Sequence, residues 1–264
     1  MFSTTRTMFQ LSAIVVALTA NACASRDVRP VQSAAAKVSC AGGVVQSAAG
    51  AALYGACDNV QGDLRISAPE LTDLSALARL RSVSGKLEIA GNSGLDDLSG
   101  LERLEQVGAL SIHDNSDLDD LSGLQNLRSA RSVTISGNVE LATLRGLGGL
   151  SHVDELVIDH NGLYQTAGLS SLTDVGVLVV EHNSKLNSLR GLDSLAHAGS
   201  VQIQGNPRLC ARGMLPALAK VDHDLMLDGN RGLSKPDVRA LLDRVEHGLA
   251  RSADRAARLE ASLR

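Results

Sequence analysis

One asparagine in every 22–24 residues constrains this chain more than any other feature. Asn92, Asn115, Asn138, Asn161, Asn183, Asn206 and Asn230 follow at steps of 23, 23, 23, 22, 23 and 24 residues, always in the same frame. The unit Gly85 to Val107, GKLEIAGNSGLDDLSGLERLEQV, is followed from Gly108 to Ala130 by GALSIHDNSDLDDLSGLQNLRSA. The frame returns at Arg131, Asp154, Gly176 and Gly199, reaches back to Gly62, and extends more faintly to Leu225. A period of roughly 20–29 residues, with an L-x-L strand and a following Asn, is the mark of a leucine-rich solenoid. No such unit can bury its own apolar face, so stability must come from stacking on neighbours.

Each unit opens with an alternating run. In Lys86–Asn92, Leu87 and Ile89 share one face, and Lys86, Glu88 and Ala90 the other. Period two predicts a strand with one buried face. The inward pair recurs as Leu64/Ile66, Leu110/Ile112, Val133/Ile135, Leu156/Ile158, Leu178/Val180, Val201/Ile203 and Leu225/Leu227. The asparagine follows where the chain turns inward. Stacked rung on rung, its amide pairs backbone groups that would each cost roughly 1–3 kcal/mol if buried unpaired. The first rung places Pro69 at this point.

Leucine then recurs at a spacing of three (Leu95, Leu98, Leu101, Leu104), which suits a 3₁₀-like arc rather than a long α-helix. Asp73, Asp97, Asp120, Thr143, Gln165 or Ser188 precedes the second leucine, and most of these are N-cap types, predicting a capped turn. Gly100, Gly123, Gly146, Gly168 and Gly191 follow, each read as a tight bend. The expected fold class is an α/β solenoid of about eight rungs with one parallel sheet and an aliphatic core, since Trp is absent.

The ends read differently. Arg6, the apolar run Leu11–Ala20 and the small-residue end Ala20-Asn21-Ala22 predict a signal peptide at 1–22. The apolar run is too short for a stable membrane span. Cys23 follows at once, in the manner of a bacterial lipoprotein, so it is the expected lipidation site and the expected membrane anchor; simple secretion is the alternative. Residues 23–39 read as a flexible tether. Cys40 and Cys57 bracket a Gly/Ala-rich N-terminal cap at 40–61. In an oxidising compartment they are expected to form a disulfide, with two buried thiols as the alternative. Cys210 is then left over, read as a buried free thiol or, if Cys23 carries no lipid, as its partner. The solenoid is expected over 62–233. Ser234-Lys235-Pro236-Asp237 opens a capping helix over 234–249, with Val238, Leu241, Leu242, Val245 and Leu249 on one face, and 250–264 is a helical or frayed tail.

From Cys57 onward the chain resembles the receptor L domain, known from the insulin and epidermal growth factor receptors. The likeness rests on Cys40 and Cys57 ahead of the strand GDLRI, on LRSVSGKLEIAGN, and on GNPRLC at Gly205–Cys210. It implies a right-handed coil with one broad parallel sheet, closed at its start by the disulfide, and a ligand-binding class of function. The rungs are more regular than in the receptors, closer to bacterial and fungal surface proteins. No Cys-rich module, transmembrane helix or kinase accompanies them, so signalling does not carry over, and no binding residue does.

The outward sheet face is the natural binding surface of such a coil. His113-Asp114, Asp159-His160 and Glu181-His182 stand out at the strand ends. His160 and His182 on neighbouring rungs, with Asp159 and Glu181, have the residue types to hold a divalent metal, although polar residues are expected at strand ends anyway, and no metal or other cofactor is assigned. Val157, Val177 and Val179 are apolar yet predicted outward. The expected partner-binding residues are therefore His113, Val157, Asp159, His160, Val179, Glu181 and His182. The acidic run Asp114, Asp117, Asp119 and Asp120 lacks the D-x-D-x-D-G spacing of a calcium loop. There is no G-x-S-x-G, P-loop, H-E-x-x-H or C-x-x-C, and no basic patch with interleaved aromatics, so neither an enzyme nor a nucleic-acid binder is expected. The favoured reading is a non-catalytic recognition module of the cell envelope that binds a protein or glycan. The alternatives are a structural envelope protein acting by self-association or as a spacer, and an undetected hydrolase.

Overall fold

The structure is a computed structural model that describes residues 37–210 and 214–246, which belong to a single compact unit, Lys37–Arg264. The expected signal peptide, the expected lipidation site Cys23, most of the tether, Leu249 of the expected capping helix and the tail at 250–264 lie outside the described residues.

Among the described residues ten strands form one sheet: β1 Ser39–Val45, β2 Asn59–Ile66, β3 Ser82–Ala90, β4 Gln106–His113, β5 Ser132–Ser136, β6 His152–Asp159, β7 Asp174–Glu181, β8 His197–Gln204, β9 Lys220–Val221 and β10 Leu225–Met226. Every pairing is parallel, β1 through β8 in chain order, with β9 and β10 both on β8. Among the described residues two α-helices accompany the sheet, α1 Ala48–Ala52 and α2 Lys235–Glu246. Parallel neighbours joined by about one turn of chain make a solenoid, with the paired L-x-L residues as its buried inner wall. Most strands begin earlier than their alternation predicts. In β6, β7 and β8 an extra buried residue (Val153, Val175, Ala198) precedes two outward ones, so the period of two is broken near the start.

The asparagines form a continuous buried ladder. Asn138 Nδ2 donates to Ile112 O on the preceding rung and to Asn161 Oδ1 on the next, both at 3.1 Å. Its Oδ1 accepts from the backbone N–H of Asn115 at 3.1 Å and from Asn115 Nδ2 at 3.1 Å. The same pattern runs from Asn92 to Asn230, and no buried side-chain polar atom among the described residues lacks a partner. On the first rung the place belongs to Ala68, not Pro69. Ala68 N–H donates to Asn92 Oδ1 at 2.7 Å, a bond that proline, lacking the N–H, cannot make.

On the turn side, leucines three apart are hydrogen-bonded to one another: Leu101 N–H to Leu98 O, Leu104 to Leu101, Leu124 to Leu121 and Leu127 to Leu124. Among the described residues only Ser75–Leu77 is a full 3₁₀ segment; elsewhere the arc is a chain of turns. The predicted caps act locally, with Asp73, Asp97 and Asp120 each accepting from the amide two residues on at 2.7–2.8 Å. The turn glycines do more than bend. A Cβ at Gly123 would lie 1.8 Å from Leu98 O, and one at Gly146 1.9 Å from Leu121 O, so the rungs touch backbone to backbone there.

Both ends are closed. Cys40 on β1 and Cys57 form a disulfide with a Cα–Cα distance of 5.8 Å, and a loop of this size is worth about 3 kcal/mol. Val38 N–H already donates to Asp58 Oδ2 at 2.8 Å, ahead of β1. At the far end Ser234 Oγ faces the N–H of Asp237 at the start of α2, which buries Val238, Leu241 and Val245 and packs beside β9. Arg244 Nη2 donates to Met214 O at 3.0 Å. Cys210 is an exposed free thiol rather than a buried one, because its position falls on the turn side just after the buried Leu209. Among the described residues no helix is long and apolar enough to cross a membrane.

Candidate functional site

Rung register places the outward columns side by side. Ser111, Thr134, Val157, Val179 and Gln202 are consecutive neighbours across β4–β8, and so are His113, Ser136, Asp159, Glu181 and Gln204. Val157 and Val179 are in direct register, Val177 lies two residues before Val179, and all three are half-buried on the sheet face. Asp159 and Glu181 are in register at the ends of β6 and β7. The structure therefore gathers Val157, Asp159, His160, Val179, Glu181 and His182 on two adjacent rungs. His113 does not join them: β5 intervenes, and its ring faces Glu88 Oε1 at 3.2 Å and Asp114 Oδ2 at 3.0 Å.

The residue before each ladder asparagine has an unusual backbone. Gly91, Gly137, Gly205 and Gly229 have φ of 67°, 68°, 63° and 71°. Asp114, His160 and His182 occupy the same column with φ of 57°, 53° and 53°. Asp and His tolerate this left-handed basin better than most side chains, yet for an L-residue it costs roughly 1–2 kcal/mol. The turn is enforced by the rungs: His160 N–H donates to Glu181 O at 3.2 Å, and His182 N–H to Gln204 O at 3.1 Å. The two histidines are thus more than polar residues at strand ends. They stand where the fold favours glycine.

Their rings stack across the rungs, with centroids 4.7 Å apart and planes 23° from parallel. One carboxylate oxygen serves both: Asp159 Oδ1 lies 2.7 Å from His160 Nδ1 and 3.2 Å from His182 Nδ1. Gly205, next in the column, leaves room for the His182 ring, since a Cβ there would lie 2.9 Å from His182 Cδ2. Glu181 is outside this three-residue group.

A second polar array lies at the opposite ends of the same strands. Asp174 bridges two histidines, with Oδ1 at 2.6 Å from His152 Nδ1 and Oδ2 against His197 Nδ1. His197 Nε2 reaches Asp222 Oδ2 at 2.9 Å, and Lys220 Nζ lies 2.6 Å from Asp222 Oδ1. Alternation along the strand did not point to these residues, because the two-residue outward step hides the strand starts. The hydrogen bond that His197 donates to Asp174, helped by Asp222, raises the His197 pKa above its ordinary 6.5. His197 in turn holds Asp174 below its ordinary 3.8, and Lys220, then His197, does the same for Asp222.

The sign follows. A raised histidine pKa contributes stability in full below pH 6.5 and loses it as pH rises through the raised value. Lowered carboxylate pKa values contribute above pH 3.8 and lose their contribution as pH falls through the depressed values. The array is therefore strongest between pH 3.8 and 6.5. Urea midpoints of His197→Gln and the parent chain across pH should differ most in that window and converge at higher pH. A constant gap would show that the charge on His197 does not matter.

Comparison with known proteins adds one family match. Residues 56–146 match the receptor L domain family. The fold is receptor-L-domain-like. That family is a ligand-binding one without enzymatic activity, which accords with a recognition module. The match spans β2 to β5 and ends before β6, so the receptor L domain likeness says nothing of Asp159, His160 or His182. GNPRLC, at Gly205–Cys210, also lies beyond it. No curated protein matches the chain.

Proposed function

We propose that this chain is an exported recognition module that binds a protein ligand, without catalysis, through the sheet face over β6 and β7. The observation that carries this reading is the half-buried valine patch Val157, Val177 and Val179, bordered by Asp159, Glu181 and the paired histidines on a rigid parallel sheet. Apolar outward positions rimmed by charge are the composition of a protein-binding surface. The outward columns carry no Phe, Tyr or Trp to stack on a sugar, so a protein ligand is favoured over a glycan. The Cys40–Cys57 disulfide and the receptor L domain likeness support export. The sequence features of 1–23 support lipid on Cys23 and retention at the bacterial cell envelope, outer membrane or surface.

The test is capture from envelope extract by the immobilised full chain. A discrete protein should be retained by the parent and by Arg103→Glu on the turn side, and lost by Val157→Lys/Val179→Lys. Retention by the double variant would remove this face from the account. Capture of only the chain itself would favour a self-associating structural role.

A further inference from the structure

We propose that Asp159, His160 and His182 form a binding site for one divalent transition-metal cation of the zinc type. The inference is independent of a protein ligand and stands or falls without it. Three observations carry it. First, the donors converge: one ligand atom from each residue lies within 4.8 Å of the others, around an oxygen that faces both rings at 2.7 and 3.2 Å. In a tetrahedral zinc site, with metal–donor bonds of about 2.0–2.1 Å, neighbouring donors are about 3.3 Å apart. Small side-chain movements reach that spacing from here. Second, both rings are held by backbone that the rungs fix, in a left-handed turn that four other rungs give to glycine. Third, Gly205 leaves the space that the His182 ring occupies.

The donor set determines the cation class. Two imidazole nitrogens and one carboxylate oxygen suit zinc and its neighbours, whereas calcium and magnesium call for oxygen alone. Three protein ligands leave a coordination position open to water or to a donor from another molecule. Among the described residues the other histidine groups do not converge in this way. Asp174 holds His152 and His197 apart on its two oxygens, and His113 brings only one imidazole to Glu88 and Asp114.

The test is equilibrium dialysis of chelator-stripped full chain against Zn²⁺, with Co²⁺ absorption as a report of the ligand field. The parent should bind one Zn²⁺ that His160→Gly, His182→Gly and Asp159→Asn each weaken by at least about tenfold, the loss that even an outer-shell partner can cause. Cys210→Ala and His197→Gln should bind as the parent does. Glycine is the column's own residue, so the glycine variants should fold, and metal-free melting temperatures at or above the parent's confirm that the loss is one of ligands. Undiminished affinity in His160→Gly/His182→Gly, or no Zn²⁺ bound by the parent at micromolar concentration, overturns the proposal.

Discussion

Gly146→Ala is expected to destabilise the solenoid by about 4 kcal/mol or more, the range reserved for severe backbone conflicts. Two costs combine at this position. Its φ is 114°, a conformation that L side chains rarely adopt, and an added Cβ would lie 1.9 Å from Leu121 O of the preceding rung. The obstacle is main chain in the middle of the stack, so relief would require two rungs to separate and expose their leucines. Gly91→Ala is the matched control: φ is 67° and nothing lies within 4 Å of the new Cβ. Only the left-handed backbone cost of roughly 1–2 kcal/mol applies there. Urea denaturation of the two variants separates the effects. Equal losses would mean that rung contact at the glycine column contributes nothing.

Asn138→Ala should cost about 3–5 kcal/mol, because truncation orphans several buried groups that each cost roughly 1–3 kcal/mol unpaired. Asn115 N–H and Nδ2 lose their acceptor, and Ile112 O loses its donor. Both rungs on either side are affected, since the ladder passes through this residue to Asn161. Asn126 offers the comparison. Its Nδ2 also donates to a backbone carbonyl, Glu102 O at 2.7 Å, but the bond is exposed to water. Asn126→Ala should stay within about 0.5 kcal/mol of the parent. If the two asparagines prove equivalent, burial is not what gives the ladder its worth.

The parts of this fold that repeat were readable from the chain itself. Leu87/Ile89 alternation, the asparagine step and the leucine thirds each have one physical meaning, and stacking multiplies the signal over successive rungs. What escaped was local departure from the pattern. Val153 followed by two outward residues breaks the period of two, and so conceals that His152, Asp174 and His197 share a strand-start row. β1 escaped because Ser39–Val45 carries glycines where the other strands have large aliphatic residues. Cys210 was read as buried by residue type, while its place on the turn side exposes it.

The left-handed column was present in the sequence as Gly-Asn at four rungs, but a side chain's backbone angle is not visible from its neighbours. Once Gly91, Gly137, Gly205 and Gly229 are seen to share φ near 63–71°, Asp114, His160 and His182 become exceptions that need a cause. For His113-Asp114 the adjacent side chains bond to each other at 3.0 Å. For His160 and His182 the cause is the proposed cation site, centred on the shared Asp159 oxygen beside the stacked rings. The wider lesson is that a repeat protein's working residues are best sought where a column's structural preference is overruled.

The central claim is that these two histidines serve binding at some expense to folding. Its most direct measurement is the metal-free urea midpoint of His160→Gly/His182→Gly beside the Zn²⁺ affinity of the same preparation. The account predicts a midpoint equal to or above the parent's together with Zn²⁺ binding lost. A lowered midpoint with Zn²⁺ binding retained would contradict it, assigning the histidines to the fold.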